Sequence, residues 1–253
     1  MLEVKGRWAL VTGAARGIGY GVAKYMAERG CNLILQSRTA AHCGKVLEEV
    51  RAMGVEAVAI GAELSDTGQV KELLNEIDKL GARVDIVFNN AGVQVAYRIE
   101  PLETPPSDYE ESFKINTIAP MMITYHFLKK MEETGFGRII NTTSGIRLEP
   151  EQAGYSASKA ALDKVTMDLA SKYNGSDICI SLTDPGWCRT DLGGPSAPNA
   201  PESSLPGVVV GAFINDQKSG RCFCASDFYD LSLEEAVERA EKEIPVYTGT
   251  ISL

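Results

Sequence analysis

The stretch that most restricts the fold lies near the N-terminus. Residues 7–12, Arg-Trp-Ala-Leu-Val-Thr, are short, largely apolar and bounded by Gly6 and Gly13. An apolar run of that length fits a strand covered on both faces, as in a parallel sheet. Thr12-Gly13-Ala14-Ala15-Arg16-Gly17-Ile18-Gly19 follows, and then a helical stretch through Arg29. Glycines at 13, 17 and 19 permit a tight turn and close backbone approach. The unpaired N–H groups of a new helix suit a phosphate. The spacing is G-x-x-x-G-x-G, not the more usual G-x-G-x-x-G. Strand, glycine turn and helix in that order favour a nucleotide over a merely structural loop.

The alternation continues along the chain. Strands are expected at 31–36, 55–60, 84–88, 137–143, 178–183 and 221–225. Between them, helices are expected at about 40–53, from Asp66 to about Leu80, at 107–133 with a bend near Pro120, and through about Asn174. Residues 205–214 read as a short helix. Residues 232–243 read as an acidic amphipathic helix, capped by Ser232 with Glu235 three positions on. Strand–helix alternation at this rate predicts right-handed βαβ units. The fold class is therefore α/β: a single-domain Rossmann fold over 1–253, a doubly wound seven-stranded parallel sheet flanked by helices. Residues 193–215 are expected to form a substrate loop or lid, and 226–253 a C-terminal acidic helix and tail.

Chemistry concentrates at two places. At the end of the second strand, an acidic residue would bind the ribose 2′-hydroxyl of NAD. This chain has Ser37-Arg38 there. Arg38 suits a 2′-phosphate, the Ser37 hydroxyl can donate beside it, and Arg16 can approach from the glycine turn. That corner favours NADPH/NADP+ over NADH. The second place is Tyr155-Ser156-Ala157-Ser158-Lys159. Residues four apart share a helix face. A free tyrosine titrates at roughly 10, and a nearby ammonium favours its phenolate. The pair forms a proton-transfer device. The bland alternative is a half-buried tyrosine beside a solvated lysine.

A net charge of −9 argues against nucleic-acid or anionic-membrane binding. No run of apolar residues is long enough for a membrane span, and Met1-Leu2-Glu3-Val4-Lys5-Gly6 lacks a signal-peptide core. The six cysteines are scattered, and His42 and His126 complete no zinc-like set. No metal is expected, and reduced cysteines in a cytoplasmic protein are.

In order and spacing, these pieces resemble the short-chain dehydrogenase/reductase family. The matching motifs are Thr12-Gly13-x-x-x-Gly17-x-Gly19, Asn89-Asn90-Ala91-Gly92, Asn116, Ser144, Tyr155-x-x-x-Lys159, and Pro185-Gly186 with Thr190. The resemblance covers roughly 5–192 and implies strand order 3-2-1-4-5-6-7. It also implies roles. Tyr155 would exchange a proton with the substrate oxygen as hydride passes to or from the nicotinamide. Lys159 would lower the tyrosine pKa and bind the nicotinamide ribose. Ser144 would polarise the substrate carbonyl, and Asn116 would hold a water that links Lys159 to solvent. Pro185, Gly186, the Cys188 backbone and Thr190 would cradle the nicotinamide half. Asn90, Ala91 and Gly92 would pack near the adenosine ribose, and Leu64 near the adenine. Homodimers or homotetramers through 107–133 and 154–174 are implied as well, which light scattering would test.

The chain departs from the family pattern in four ways. Ser144 and Tyr155 are closer in sequence than in many members. Glu63 replaces a frequent aspartate. Asp184 precedes Pro185-Gly186 where a neutral residue is usual. The last strand runs into Ala225-Ser226-Asp227-Phe228 rather than Asp-Gly-Gly. Candidate substrate contacts are Val93, Gln94, Val95, Tyr97, Ser144, Ile146, Arg147, Tyr155, Trp187 and the 193–206 loop. Tyr97 and Trp187 could sandwich a ring, and Arg147 could meet an anion. The expected activity is NADPH-dependent interconversion of a ketone and a secondary alcohol, on a hydrophobic or cyclic small molecule. A 3-oxoacyl thioester ranks lower, since an acidic chain offers no evident basic patch for an acyl carrier. Related chemistry on the same fold, and a non-enzymatic NADP-binding regulator, stay open.

Overall fold

Successive residues of the first strand face different layers of helices. Ala9 and Val11 join one buried apolar cluster and Leu10 joins the other. That is the period-two geometry of a strand covered on both sides. The computed structural model describes Met1 to Gly249. The last four positions of the expected tail lie outside the described residues.

Seven strands form one sheet: β1 Trp8–Thr12, β2 Asn32–Ser37, β3 Ala57–Gly61, β4 Val84–Asn89, β5 Gly137–Thr142, β6 Ile178–Asp184 and β7 Arg221–Cys224. Their order is β3-β2-β1-β4-β5-β6-β7, and every pairing is parallel. One face carries α1 Gly17–Ala27, α2 Gly44–Ala52 and α7 Leu233–Glu243. The other carries α3 Thr67–Lys79, α5 Ala119–Thr134 and α6 Ala153–Ala170, with α4 Pro106–Phe113 leading into α5. The chain reverses its winding direction between β1 and β4. A crevice opens there beyond the C-terminal strand ends.

The expected helix at 107–133 is two helices. A π turn, Lys114–Ile118, separates α4 from α5 and carries Asn116. Pro120 follows as the second residue of α5. The expected helix at 40–53 begins as a 3₁₀ turn, Ala40–Cys43. Residues 205–214 hold only a 3₁₀ turn, Val210–Ala212. The Ser232–Glu235 capping box forms as expected. All six cysteines are free thiols.

Candidate active site

A cleft of about 1320 Å³ follows the C-terminal ends of β1, β2, β4, β5 and β6. That exceeds the ~300–1,000 Å³ typical of a site for one small ligand, and leaves room for a dinucleotide together with a substrate. Of the expected catalytic and cofactor-binding residues, only Gly19 and Asn116 stay out of its wall. Both act from behind it.

At the β1 end, Gly13 and Gly17 have φ of +65° and +56°, a region that favours glycine. A Cβ on Gly19 would overlap the Gly13 carbonyl oxygen and lie 2.6 Å from Asn90 Nδ2. Gly19 thus lets the turn fold flat against β4. The two strand ends are laced together: Asn90 Nδ2 donates to the Thr12 carbonyl, and the Asn90 and Ala91 N–H groups donate to Thr12 Oγ1, each at 3.0 Å. Gln36 Oε1 accepts from the Gly13 N–H at 3.2 Å, and Gln36 Nε2 donates to the Ala62 carbonyl at 2.8 Å. Gln36 was not among the expected residues. It staples the glycine turn to β2 and β3.

At the β2 end, Arg38 is exposed on the cleft wall, with His42 nearby on the same wall. Ser37 is buried, and its hydroxyl donates inward to the Thr39 carbonyl at 2.7 Å. It shapes the corner instead of reaching into it. Arg16 is paired with Asp191, across the cleft mouth in the loop after β6. Glu63 is also turned inward and accepts from the Ser65 N–H at 3.0 Å.

The other end of the cleft holds the charged groups. Tyr155 and Lys159 stand on the first turns of α6. Gly154 seats that helix, because a Cβ there would come within 2.8 Å of the Asp108 carbonyl on α4. Lys159 Nζ donates to the Thr142 carbonyl at the end of β5, at 2.6 Å, and lies 6.0 Å from the centre of the Tyr155 ring. Burial lowers the Lys159 pKa to about 8, against the opposing pull of Asp163 and Asp184. Burial raises the Tyr155 pKa; the Ser144 hydroxyl lowers it, and Asp184 and Asp163 add to the rise. The expectation that Lys159 brings the phenol below its ordinary value is corrected here: desolvation prevails.

Asn116 is fully buried. Its Oδ1 accepts from the Val93 N–H at 2.8 Å, and its Nδ2 donates to the Val93 carbonyl at 2.8 Å and to Ser158 Oγ at 3.0 Å. The amide clamps the loop that follows Gly92 onto α6. A Cβ on Gly92 would lie 3.5 Å from Lys159 Nζ, so that glycine keeps the lysine head uncovered.

On the rim, Trp187 and Tyr97 are both more than half exposed. Trp187 Nε1 donates to the Gly193 carbonyl at 2.7 Å. Val93 and Gln94 join Tyr97 on the wall; Val95 does not. Within the loop after β6, Arg189 Nη1 donates to the carbonyls of Ala197 and Pro198, at 3.1 and 2.7 Å. Asp163, one turn after Lys159, was missed by sequence reasoning. Burial raises its pKa to about 6, with Asp184 adding to the rise and Thr143 and Lys159 opposing it. The i, i+4 rule that singled out Lys159 after Tyr155 also reaches Asp163 after Lys159.

Fold and cleft together define a nicotinamide-dependent oxidoreductase. Residues 7–200 match the family described as short chain dehydrogenase, and the chain belongs to the short-chain dehydrogenase/reductase family. It is 33% identical over 196 residues to versicolorin reductase 1 of Aspergillus parasiticus, covering 75% of this chain and 72% of that protein. It is 29% identical over 232 residues to the hydroxynaphthalene reductase arp2 of Aspergillus fumigatus, covering 89% and 84%. A metagenomic short-chain oxidoreductase solved in complex with NADP superposes with a TM-score of 0.77 at 27% identity, over 88% of this chain and 98% of the other. Among the described residues, no helix is long and apolar enough to cross a membrane.

Proposed function

We propose that this protein is an NADPH-dependent reductase of a bulky, largely apolar ring ketone, with Tyr155 as the proton donor. The observation that carries the reading is the convergence of Tyr155, Ser144 and Lys159 at one end of a cleft whose other end has a glycine turn and Arg38.

The residues fit a dinucleotide. Gly13, Gly17 and Gly19 leave a cradle that a Cβ would fill, which suits a pyrophosphate. Arg38 faces the cleft where no side-chain carboxylate ends β2, which suits a 2′-phosphate. Asn90, Ala91 and Gly92 flank the adenosine ribose, and Leu64 the adenine. Pro185, Gly186, Cys188 and Thr190 hold the nicotinamide half. The nicotinamide, when bound, supplies the hydride.

The chain's own groups supply the rest. Ser144 donates to the carbonyl oxygen and polarises it. Tyr155 gives that oxygen its proton. A phenol whose pKa is raised by burial stays protonated at neutral pH, which suits a donor in the reductive direction. Lys159, cationic below about pH 8, binds the ribose and stabilises the phenolate left behind. Asn116 positions: its Nδ2 is taken by Val93 and Ser158, and its Oδ1 accepts from Val93, so its side chain has no donor left for a water linking Lys159 to solvent. Tyr97, Ile146, Trp187 and Leu192 give the open end an apolar lining, and the named activities of the two fungal relatives accord with ring ketones.

The test is NADPH and NADH oxidation against ring ketones, quinones and 3-oxoacyl thioesters. Turnover of ring ketones with a preference for NADPH is expected. Arg38→Asp should shift the kcat/KM ratio toward NADH by about tenfold or more. Equal rates with both cofactors in the unaltered protein would sink the 2′-phosphate assignment. Turnover confined to thioesters would redirect the substrate class.

A further inference from the structure

The proposed reaction uses none of the carboxylates on the cleft wall, Glu63, Glu111, Glu149, Asp184 and Asp191, and Asp184 among them meets the backbone beside Ser144. Asp184 ends β6 and lines the cleft. Its Oδ1 accepts from the Gly186 N–H at 2.9 Å. Among the described residues nothing donates to Oδ2, and no ion pair includes it. That oxygen sits against the backbone just after Ser144: a Cβ on Gly145 would lie 2.5 Å from Oδ2. Gly145 is therefore what lets the carboxylate reach the reacting end. Its proximity also registers in the Tyr155 phenol, which its charge pushes up.

The surroundings restrict what can meet this oxygen. A carboxylate can only accept hydrogen bonds. Ile146, Trp187 and Leu192 on the same wall offer it no charge. A ligand that covers Oδ2 without donating to it strips its water and returns nothing. Arg147 also lines this wall, so a second cation is disfavoured and a neutral donor is favoured.

We infer that Asp184 is a specificity-determining residue whose Oδ2 accepts a hydrogen bond from a substrate hydroxyl one or two carbons from the reacting carbonyl. The site thereby selects hydroxy ketones over analogues that carry a methyl in the same place. The inference rests on the carbonyl-reductase reading for the direction of the chemistry, and its test reads binding separately.

Two ring ketones of matched shape serve as probes: 2-hydroxy-2-methyl-1-tetralone and 2,2-dimethyl-1-tetralone. Neither carries an alcohol that NADP+ can oxidise to a ketone, so their complexes with the NADP+-bound protein are dead ends. Calorimetry gives Kd for each. The hydroxy ketone should bind about tenfold tighter or more, as a charge-assisted hydrogen bond allows. Asp184→Asn keeps an acceptor for Gly186 and should cut the preference at least threefold; Asp184→Ala should abolish it. A structural role for Asp184 would weaken both ligands alike and leave the ratio standing, which overturns the assignment. So does a protein that prefers neither ketone or binds neither. Turnover of the same pair with NADPH is recorded alongside. Selective binding without turnover brings down the reductase reading and keeps Asp184. Turnover with a flat binding ratio brings down Asp184 alone.

Discussion

The two ends of the cleft treat their polar groups differently. At the glycine-turn end, Thr12, Gln36, Asn90 and Glu63 are matched to backbone partners between 2.8 and 3.3 Å. At the reacting end, Lys159 is held near pH 8, Asp163 near 6, and Tyr155 above its ordinary value. Asp163 Oδ1 and Thr143 Oγ1 are buried without a hydrogen-bond partner, yet Thr143 is among the groups that lower the Asp163 pKa. Matched polar groups make a rigid seat; mismatched ones store the perturbation that proton chemistry uses. One end is built to hold its shape and the other to change its charge.

Three substitutions press on that contrast. The largest effect is expected at the reacting end. Tyr155→Phe removes only the proton, and turnover should fall by about 10²–10⁴-fold while the NADPH Kd moves by less than about threefold. A large loss of cofactor affinity would mean that the phenol belongs to the seat. Gly19→Ala addresses the seat itself. The new methyl overlaps the Gly13 carbonyl, and overpacking of about 1–3 kcal/mol should weaken NADPH binding by about tenfold to a hundredfold, with a lower melting temperature. Unchanged binding would show that the turn has slack the geometry does not reveal.

The smallest effect is Asp163→Asn, read from pH profiles. Asp163 raises the Lys159 pKa, so its removal should move the alkaline limb of kcat/KM below about pH 8, by roughly half a unit to one unit. The stability sign is fixed by the same group. Its folded pKa, about 6, lies above the ordinary ~3.9, so its contribution is fully present below pH ~4 and is lost as pH rises through 6. The variant should gain on the unaltered protein above pH 6, by about 1 kcal/mol or more, and the gap should close toward pH 4. Denaturant titrations at pH 4 and 7 read it. A gap that persists at pH 4 would show that packing, not charge, separates the two.

Much of the seat was legible because it is local. Trp8–Thr12, the glycines that follow and α1 are contiguous, so period, turn chemistry and helix start can be read in one pass. Tyr155 and Lys159 were legible for the same reason. Ser37 was over-read: nothing local shows that its hydroxyl turns back to Thr39. Arg16 was placed at the right cleft but without its partner, since Asp191 is remote in sequence. The π turn around Asn116 was hidden as well, because the sequence there reads as plain helix and the widening serves the clamp on Val93.

Residue order alone determined the sheet, the glycine turn and the spacing of the phenol and ammonium, since each follows from period and backbone sterics within a few residues. Only the tertiary structure decided the charge states. Those depend on how much water burial removes and on which remote groups, such as Asp184 beside Gly145, are brought within range. Coulomb and desolvation energies are set by distance in space, and strand crossovers detach that distance from position along the chain.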